Sequence, residues 1–164
     1  MRNIKLTLEY DGSRYNGFIQ PPKKGNKTTV SGKITDVLSR MESADTVANT
    51  ATDLSTGFSA LFCGERTAPG VHALQQTVDF KTDSALSVGE IRTYLNHYLP
   101  QDIVVSEAVE TADRFHAELN ARSRTYEYRI ICSAFPDVFS RKYAHFLSQP
   151  LDIAAMDHAA GLLT

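Results

Sequence analysis

The segment from Gly64 to Gln76, with the sequence GERTAPGVHALQQ, concentrates side chains that could bind an anion. It places Arg66, the Pro69-Gly70 pair and His72 within a few residues of one another, between two apolar runs. A guanidinium at the end of a sheet suits a phosphate, because its forked N–H donors match the phosphate oxygens. Loops in such places often carry function. The same composition also fits a plain surface loop in which Pro69-Gly70 makes a turn and His72 is a hydrogen-bonded structural residue.

Alternating and helical patterns around this segment predict the elements that position it. Ile4, Leu6 and Leu8 share one face of a strand, and Ser87 with Glu90 forms a capping-box pattern at the start of a helix. Small polar residues between 42 and 57 predict a loop. The predicted strands are 3–10, 58–63, 75–80 and 102–109, and the predicted helices are 29–41 and the segment from Ser87 to the residue before Pro100.

This order of strand, helix, strand, strand, helix, strand predicts an α+β fold. We expect a ferredoxin-like split βαβ unit with an antiparallel sheet and both helices on one face. It would form an N-terminal domain over residues 1–110 that carries the loop around Arg66. Residues 111–164 predict the start of a second domain, with a strand over 124–132 and a helix over 150–163. One strand and one helix cannot bury a core alone, so this part either docks on the first unit or is the truncated beginning of a second, similar domain.

The composition is that of an ordinary globular chain. Its 164 residues hold 17 Lys and Arg against 19 Asp and Glu, a formal net charge of −2, with 42% hydrophobic and 22% charged residues. These values argue against disorder, and they offer no global argument for nucleic-acid binding. No apolar run approaches the ~18 residues of a membrane helix, so no membrane partner is expected. The acid-containing N-terminus excludes a secretory signal.

Cys63 and Cys132 each lie in an apolar run and predict buried free thiols, as in a cytoplasmic protein. The five histidines have no tight ligand spacing, so no metal site is expected. Basic residues cluster locally, with five against one acid between 21 and 40 and four against two acids between 114 and 129. Such clusters are usually solvated faces, although they also suit RNA phosphates.

Six ordered blocks of the sequence resemble the N-terminal part of the tRNA pseudouridine synthase A (TruA-type) family. They are the opening strand with Tyr15, Gly17 and Gln20; Thr29-Val30-Ser31-Gly32; Arg66-Thr67-x-x-Gly70-Val71-His72-Ala73; Tyr94-Leu95-Asn96 through Leu99-Pro100-x-Asp102-Ile103; Phe115-His116-Ala117; and Ala121-x-Ser123-Arg124-Thr125-Tyr126-x-Tyr128. The resemblance runs over essentially the whole chain. It implies isomerisation of uridine to pseudouridine in the anticodon arm of tRNA, without cofactor or metal, by a cytoplasmic homodimer.

The resemblance also assigns roles to individual residues. The family's essential aspartate follows Arg-Thr, and its position in this chain is Ala68. Arg66 corresponds to the arginine that contacts this carboxylate and the RNA, and Tyr126 to the tyrosine that packs against the target base. From its pattern alone, Tyr126 is better explained as a core residue on the same strand face as Tyr128. The residues expected to face the RNA are Arg66, Phe115, His116, Ala117, Arg122 and Arg124.

Alanine at position 68 removes the group on which the family's chemistry depends. A methyl group neither attacks C1′ of the ribose nor carries charge, and Glu65 is expected to pair with a neighbouring base rather than to replace the aspartate. Glu118 also departs from the family, which favours arginine after Phe-His-Ala. We therefore expect a divergent or catalytically impaired tRNA pseudouridine synthase. The alternatives are a non-catalytic RNA-binding module and a protein-interaction or assembly domain.

Overall fold

The computed structural model describes residues 1–19, 28–48 and 60–163. The predictions that concern Gln20, Lys23, Lys24, Lys27 and residues 49–59 lie outside this part. The chain divides into two compact units, Met1–Arg124 and Thr125–Thr164. Unit 1 extends past residue 110, where the sequence predicted a domain boundary, because residues 112–124 are hydrogen-bonded to the first sheet and its loops.

Unit 1 is built on a four-stranded antiparallel sheet. The strands are β1 (Arg2–Tyr10), β2 (Phe62–Cys63), β3 (Ala73–Thr82) and β4 (Ile103–Thr111), in the order β2-β3-β1-β4. β1 is central and pairs with both β3 and β4. Its alternation puts apolar side chains on one face and Lys5, Thr7 and Glu9 on the other, as the sequence predicted.

Two helices, α1 (Val30–Ala48) and α2 (Val88–Tyr98), complete unit 1. Their apolar side chains share one core with the sheet; its members include Ile4, Leu6, Leu8, Ile34, Leu38, Phe80, Ile91, Leu95 and Val105. Burial of this surface is the main driving force for folding of the unit. The element order and the antiparallel sheet confirm the predicted α+β class and are compatible with a ferredoxin-like unit.

The helix boundaries agree with the sequence at α2 and differ at α1. Ser87 caps α2, with its N–H donating to the Glu90 carboxylate at 2.8 Å and its hydroxyl accepting from the Glu90 N–H at 3.3 Å. The helix predicted to end at Met41 continues to Ala48. The loop predicted from residue 42 is therefore wrong up to Ala48. Glu42 explains part of this, because it is buried and accepts a hydrogen bond from the hydroxyl of Thr82 on β3.

Unit 2 holds two short parallel strands, β5 (Ile130–Cys132) and β6 (His145–Leu147), and one helix, α3 (Ile153–Gly161). Asp152 caps α3 by accepting from the Ala155 N–H at 2.9 Å. The strand predicted over 124–132 is wrong before Ile130, since only its last three residues have a strand partner. In the described part of the chain, no helix is long and apolar enough to cross a membrane.

Both cysteines are free thiols, as predicted, but their burial differs. Cys63 is buried in the core of unit 1, whereas Cys132 is exposed at the end of β5. The prediction of a buried thiol at Cys132 is therefore wrong. A two-stranded sheet with one helix leaves its strand ends uncovered within its own unit.

Candidate functional site

The loop Gly64–His72, called the Arg66 loop below, joins β2 to β3 and is held at both ends. The Gly64 N–H donates to the carbonyl of Thr77 at 2.9 Å. At the other end, the Val71 N–H donates to the Ala68 carbonyl at 3.1 Å, and Gly70 has a φ of +81°. Proline at the second position and a left-handed glycine at the third are typical of a type II turn. The predicted Pro69-Gly70 turn is confirmed.

The segment after β1 packs directly under the Arg66 loop. The Phe18 N–H donates to the Thr67 carbonyl at 3.0 Å, and the Gly70 N–H donates to the Tyr15 carbonyl at 3.3 Å. Gly17, with a φ of +81°, approaches so closely that an added Cβ would lie 2.5 Å from the Thr67 oxygen. This contact requires glycine. The backbone of the loop is therefore fixed by hydrogen bonds on either side of Ala68.

Two side chains, those of Tyr10 and His72, join β1 and its following turn to the loop. The buried hydroxyl of Tyr10 lies 2.8 Å from Oγ1 of Thr67, and burial raises the pKa of Tyr10. Nδ1 of His72 accepts from the Gly12 N–H at 3.1 Å. It also lies 3.0 Å from Oδ1 of Asp11, a contact that becomes an ion pair only when the ring is protonated. His72 is thus the hydrogen-bonded structural histidine that the sequence predicted.

Arg66 projects from the loop into solvent, next to an acid. Its side chain is 66% exposed, and its Nη2 lies 3.7 Å from Oε2 of Glu118, which is 49% exposed. Arg66 also lies near the thiol of Cys63, whose pKa is raised by burial, with the guanidinium opposing that rise. Ala68, two residues along, is exposed. The position that the resemblance assigns to a catalytic carboxylate therefore faces solvent beside an accessible cation.

Glu65 pairs with Arg124, as the sequence predicted for a neighbouring base. Nε of Arg124 lies 2.8 Å from Oε2 of Glu65, and the other carboxylate oxygen accepts from the Arg66 N–H at 3.0 Å. The guanidinium of Arg124 also donates twice to the carbonyl of Gly64, at 3.0 and 2.9 Å. Both oxygens of Glu65 are therefore bonded within unit 1. This arrangement joins the start of the Arg66 loop to the end of the 115–124 segment.

The Phe115-His116-Ala117 stretch is hydrogen-bonded to the sheet, and none of its three side chains is fully exposed. The amide of Asn3 donates to the carbonyl of Phe115 at 2.9 Å, and the Ala117 N–H donates to the carboxylate of Asp79 at 2.6 Å. Ala117 is buried, and Phe115 and His116 are half-buried. Burial raises the pKa of Asp79. Ala117 itself is placed for packing.

Among the remaining side chains predicted to face the RNA, Arg122 and Arg124 are exposed, whereas His116 is half-buried. The imidazole of His116 packs on Phe62, with ring centroids 4.5 Å apart. Arg122 is exposed, and within the described residues it makes no ion pair. Tyr126 and Tyr128 belong to unit 2 and are 71% and 74% exposed, so neither is a core residue of that unit. The roles that the resemblance implies for Tyr126 and Arg66, at the target base and on the RNA, stay predictions.

Sequence reasoning missed the residues that hold the site in place. Asn3, Asp79 and Tyr10 fasten the loop and the 115–124 segment through contacts between residues far apart in the chain. One signal was present: a polar residue such as Asp79 in the apolar strand run QTVDF is unusual unless it is hydrogen-bonded. Across residues 1–19, 28–48 and 60–163, no group of three His, Cys, Asp or Glu side chains could hold a metal.

The Arg66 loop thus presents an accessible arginine at one end of an antiparallel sheet. The chain is similar to curated proteins that share one name. The chain is 41% identical over 163 residues to tRNA pseudouridine synthase A 1 of Clostridium tetani. The aligned residues make up 99% of this chain and 60% of that protein. It is 36% identical over 160 residues to tRNA pseudouridine synthase A 2 of Bacillus anthracis, covering 98% of this chain and 59% of that protein.

A third relative, tRNA pseudouridine synthase A of Moorella thermoacetica, is 39% identical over 161 residues, 98% of this chain and 59% of that protein. No family model matches the sequence. The chain is thus a homologue of the N-terminal part of tRNA pseudouridine synthase A, as its motifs predicted. It spans about 60% of the length of these relatives.

Proposed function

We propose that the chain binds the anticodon arm of tRNA and is a catalytically impaired form of a tRNA pseudouridine synthase. The binding surface is formed by the Arg66 loop together with residues 115–124, and is called the Arg66 surface. The observation that carries the proposal is a loop whose backbone is fixed on both sides of position 68 and whose arginine is accessible, but whose residue 68 is alanine.

The chemistry explains why position 68 matters. Isomerisation breaks the N-glycosidic bond, lets the uracil turn, and rejoins it to the ribose through carbon. A carboxylate near the sugar can attack C1′, stabilise positive charge there, or remove a sugar proton. Ala68 can do none of these, and both oxygens of the nearest carboxylate in sequence, Glu65, are already bonded to Arg124 and to the Arg66 N–H. On this proposal the loop keeps its fixed backbone and its accessible arginine but lacks the reacting group.

Other parts of the proposal follow from the resemblance. Tyr126 would stack on the target base, since an aromatic face stabilises an unpaired base with little sequence demand. Arg66, Phe115, His116, Arg122 and Arg124 would lie along the RNA, and Ala117 would support them from within. The chain would act as a homodimer, without cofactor, in the cytoplasm, where tRNA is modified.

Tritium release from tRNA that carries 5-³H-uridine measures the activity. We expect the chain to release little or no tritium, and Ala68→Asp to raise the release above the background. Ala85→Asp is the matched control, because it adds the same carboxylate at an exposed alanine of unit 1 that lies outside the Arg66 surface. Turnover by the unaltered chain comparable to that of an intact homologue would contradict the impairment.

A salt titration with a fluorescent anticodon stem-loop tests the binding. Neutralising phosphates with arginines releases counterions, so affinity should fall steeply as salt rises. We expect measurable binding at low salt and a slope that reflects several phosphate contacts. A folded sample that does not bind the stem-loop at low salt contradicts the RNA-binding proposal.

One observation favours a second candidate, a protein-interaction or assembly domain. Unit 2 exposes large apolar side chains, with Phe135 at 82%, Phe139 at 91% and Leu163 at 89% exposure. Exposed apolar groups of this kind mark interaction surfaces. Analytical ultracentrifugation separates the candidates: concentration-dependent self-association that Phe139→Ser weakens, in a chain that does not bind RNA, favours the assembly domain.

A further inference from the structure

We infer that Glu118 acts as an internal competitor of RNA phosphate for Arg66. In the free protein, the carboxylate of Glu118 neighbours the guanidinium, and a phosphate group displaces it on binding. Glu118 thereby lowers the affinity of the Arg66 surface for phosphate groups. This inference rests on the proposed RNA-binding function and concerns the same surface.

The geometry of the pair fits an exchangeable contact. Nη2 of Arg66 lies 3.7 Å from Oε2 of Glu118, which is within the range of an ion pair but longer than the ~2.7–2.9 Å of a charge-assisted hydrogen bond. The side chains are 66% and 49% exposed, so a phosphate can approach from solvent. A phosphate that takes two guanidinium N–H groups gains short bonds that the Glu118 carboxylate does not make.

The neighbouring arginine shows the opposite behaviour. Arg124 donates to the Gly64 carbonyl through two N–H groups and lies 2.8 Å from the Glu65 carboxylate. Removing it from these partners would break the contacts that tie it to the start of the Arg66 loop. Of these two arginines, Arg66 is therefore the one that can change partners without loss of structure.

The adjacent residues Glu65 and Arg66 thus form one ion pair each, Glu65 with Arg124 and Arg66 with Glu118. The pairs leave the Arg66 surface nearly neutral at this point, although the local sequence is rich in arginine. Binding of one phosphate to Arg66 would release the Glu118 carboxylate close to the RNA backbone. Glu118 therefore lowers the affinity twice, by occupying Arg66 before binding and by repelling phosphate afterwards.

Binding of the anticodon stem-loop to the full chain, measured from low to moderate salt, tests this competition. Glu118→Gln should bind roughly two- to fivefold more tightly than the unaltered chain, which is the range that an exposed ion pair can contribute. Asp113→Asn is the matched control, since it removes one exposed acid that pairs with Lys81 at 2.5 Å on unit 1. That control separates a specific effect at Arg66 from a general loss of negative charge.

A double-mutant cycle of Arg66 and Glu118 tests whether the effect of Glu118 acts through Arg66. In an Arg66→Gln background, Glu118→Gln should no longer increase the affinity beyond the gain seen with Asp113→Asn. An equal gain from both acidic variants in the unaltered background overturns the inference. So does a Glu118→Gln gain that persists after Arg66→Gln, because either result means that Glu118 acts by charge alone.

A measurement without RNA tests the competition between Glu118 and phosphate independently of the proposed RNA-binding function. The Nε–Hε resonance of Arg66, followed by NMR during titration with inorganic phosphate, should shift at a lower phosphate concentration in Glu118→Gln than in the unaltered chain or in Asp113→Asn. If no variant binds the stem-loop, the proposed function fails and this titration decides the inference. Equal midpoints for all three proteins overturn it.

Discussion

The hydroxyl of Tyr10 lies 2.8 Å from Oγ1 of Thr67, which ties the last residue of the central strand β1 to the residue before Ala68. Tyr10 is buried, whereas Thr67 is partly accessible to water. The contact therefore couples the core of unit 1 to the exposed part of the Arg66 loop.

Tyr10→Phe should lower the free energy of unfolding by about 1 kcal/mol, the net contribution of a typical intramolecular hydrogen bond. The ring fills the same space, so no cavity is expected. Urea denaturation monitored by circular dichroism measures the change. Tyr98→Phe, at an exposed tyrosine of α2, is the control and should stay within about 0.5 kcal/mol of the unaltered chain. Equal effects of the two variants would contradict the role of the Tyr10 hydroxyl.

Three glycine-to-alanine variants should separate the loss of stability caused by a left-handed backbone from the loss caused by a steric clash. Gly17→Ala should destabilise unit 1 by more than about 2 kcal/mol, because a left-handed φ costs ~1–2 kcal/mol and its Cβ would lie 2.5 Å from the Thr67 oxygen. Gly70→Ala has the same φ and open space, so it should cost about 1–2 kcal/mol. Gly89→Ala, in α2 with open space, should be neutral or stabilising by up to about 1 kcal/mol. Thermal denaturation ranks the three variants, and any other order contradicts this account.

The buried carboxyl group of Asp79 should make the stability of the unaltered chain depend on pH. The residue is buried and accepts the Ala117 N–H at 2.6 Å, and burial raises its pKa. A carboxyl group with a raised folded-state pKa contributes stability below its unfolded pKa of about 3.9, and this contribution is lost as pH rises through the folded value. Asp79→Asn keeps an acceptor oxygen without the buried charge. Its free energy of unfolding relative to the unaltered chain should therefore increase as pH rises from 4 to 7.

Asp79→Leu is the contrasting variant. It leaves the buried Ala117 N–H without an acceptor, which should lower the free energy of unfolding by about 1–3 kcal/mol at neutral pH. Urea titrations at several pH values measure both variants. A pH-independent difference between Asp79→Asn and the unaltered chain would show that the carboxylate is not destabilised by burial.

Substitutions of Arg66 and Arg124 should have different effects. The first should mainly change the salt dependence of RNA binding, and the second should mainly change the stability of unit 1. Arg66→Gln should reduce the slope of log affinity against log salt by about 0.7–0.9, the contribution of one phosphate contact, with the free energy of unfolding changed by less than about 0.5 kcal/mol. Arg124→Gln removes the bonds to Gly64 and Glu65, and should lower the free energy of unfolding by about 1 kcal/mol. Stem-loop binding and urea denaturation on the same samples measure both. A loss of stability in Arg66→Gln as large as in Arg124→Gln contradicts the distinction.

Local sequence patterns predicted the elements that depend on local interactions. The capping box of α2 needs only Ser87 and Glu90, three residues apart, and both hydrogen bonds are present. The alternation of β1 and the Pro69-Gly70 turn are equally local. Such features follow from side-chain spacing and backbone preference, so a single sequence contains them.

Features that depend on distant partners could not be predicted in this way. The tyrosine-rich stretch before Ile130 has strand composition, but no strand of the described chain pairs with it, and β6 is too short to give a period. At the site, the motif around Arg66 located the loop, whereas the partners of Glu65 and Arg66 lie more than 50 residues away in sequence. No spacing rule connects such positions.

The central place of β1 has a consequence for synthesis on the ribosome. β1 leaves the exit tunnel before either of its two neighbours in the sheet, so it has no partner strand until β3 has followed. Until Tyr98 has emerged, the apolar face formed by Ile4, Leu6 and Leu8 lacks the helix α2, which shares its core. A nascent chain of this topology therefore presents a hydrophobic strand to ribosome-associated chaperones for most of the translation of unit 1.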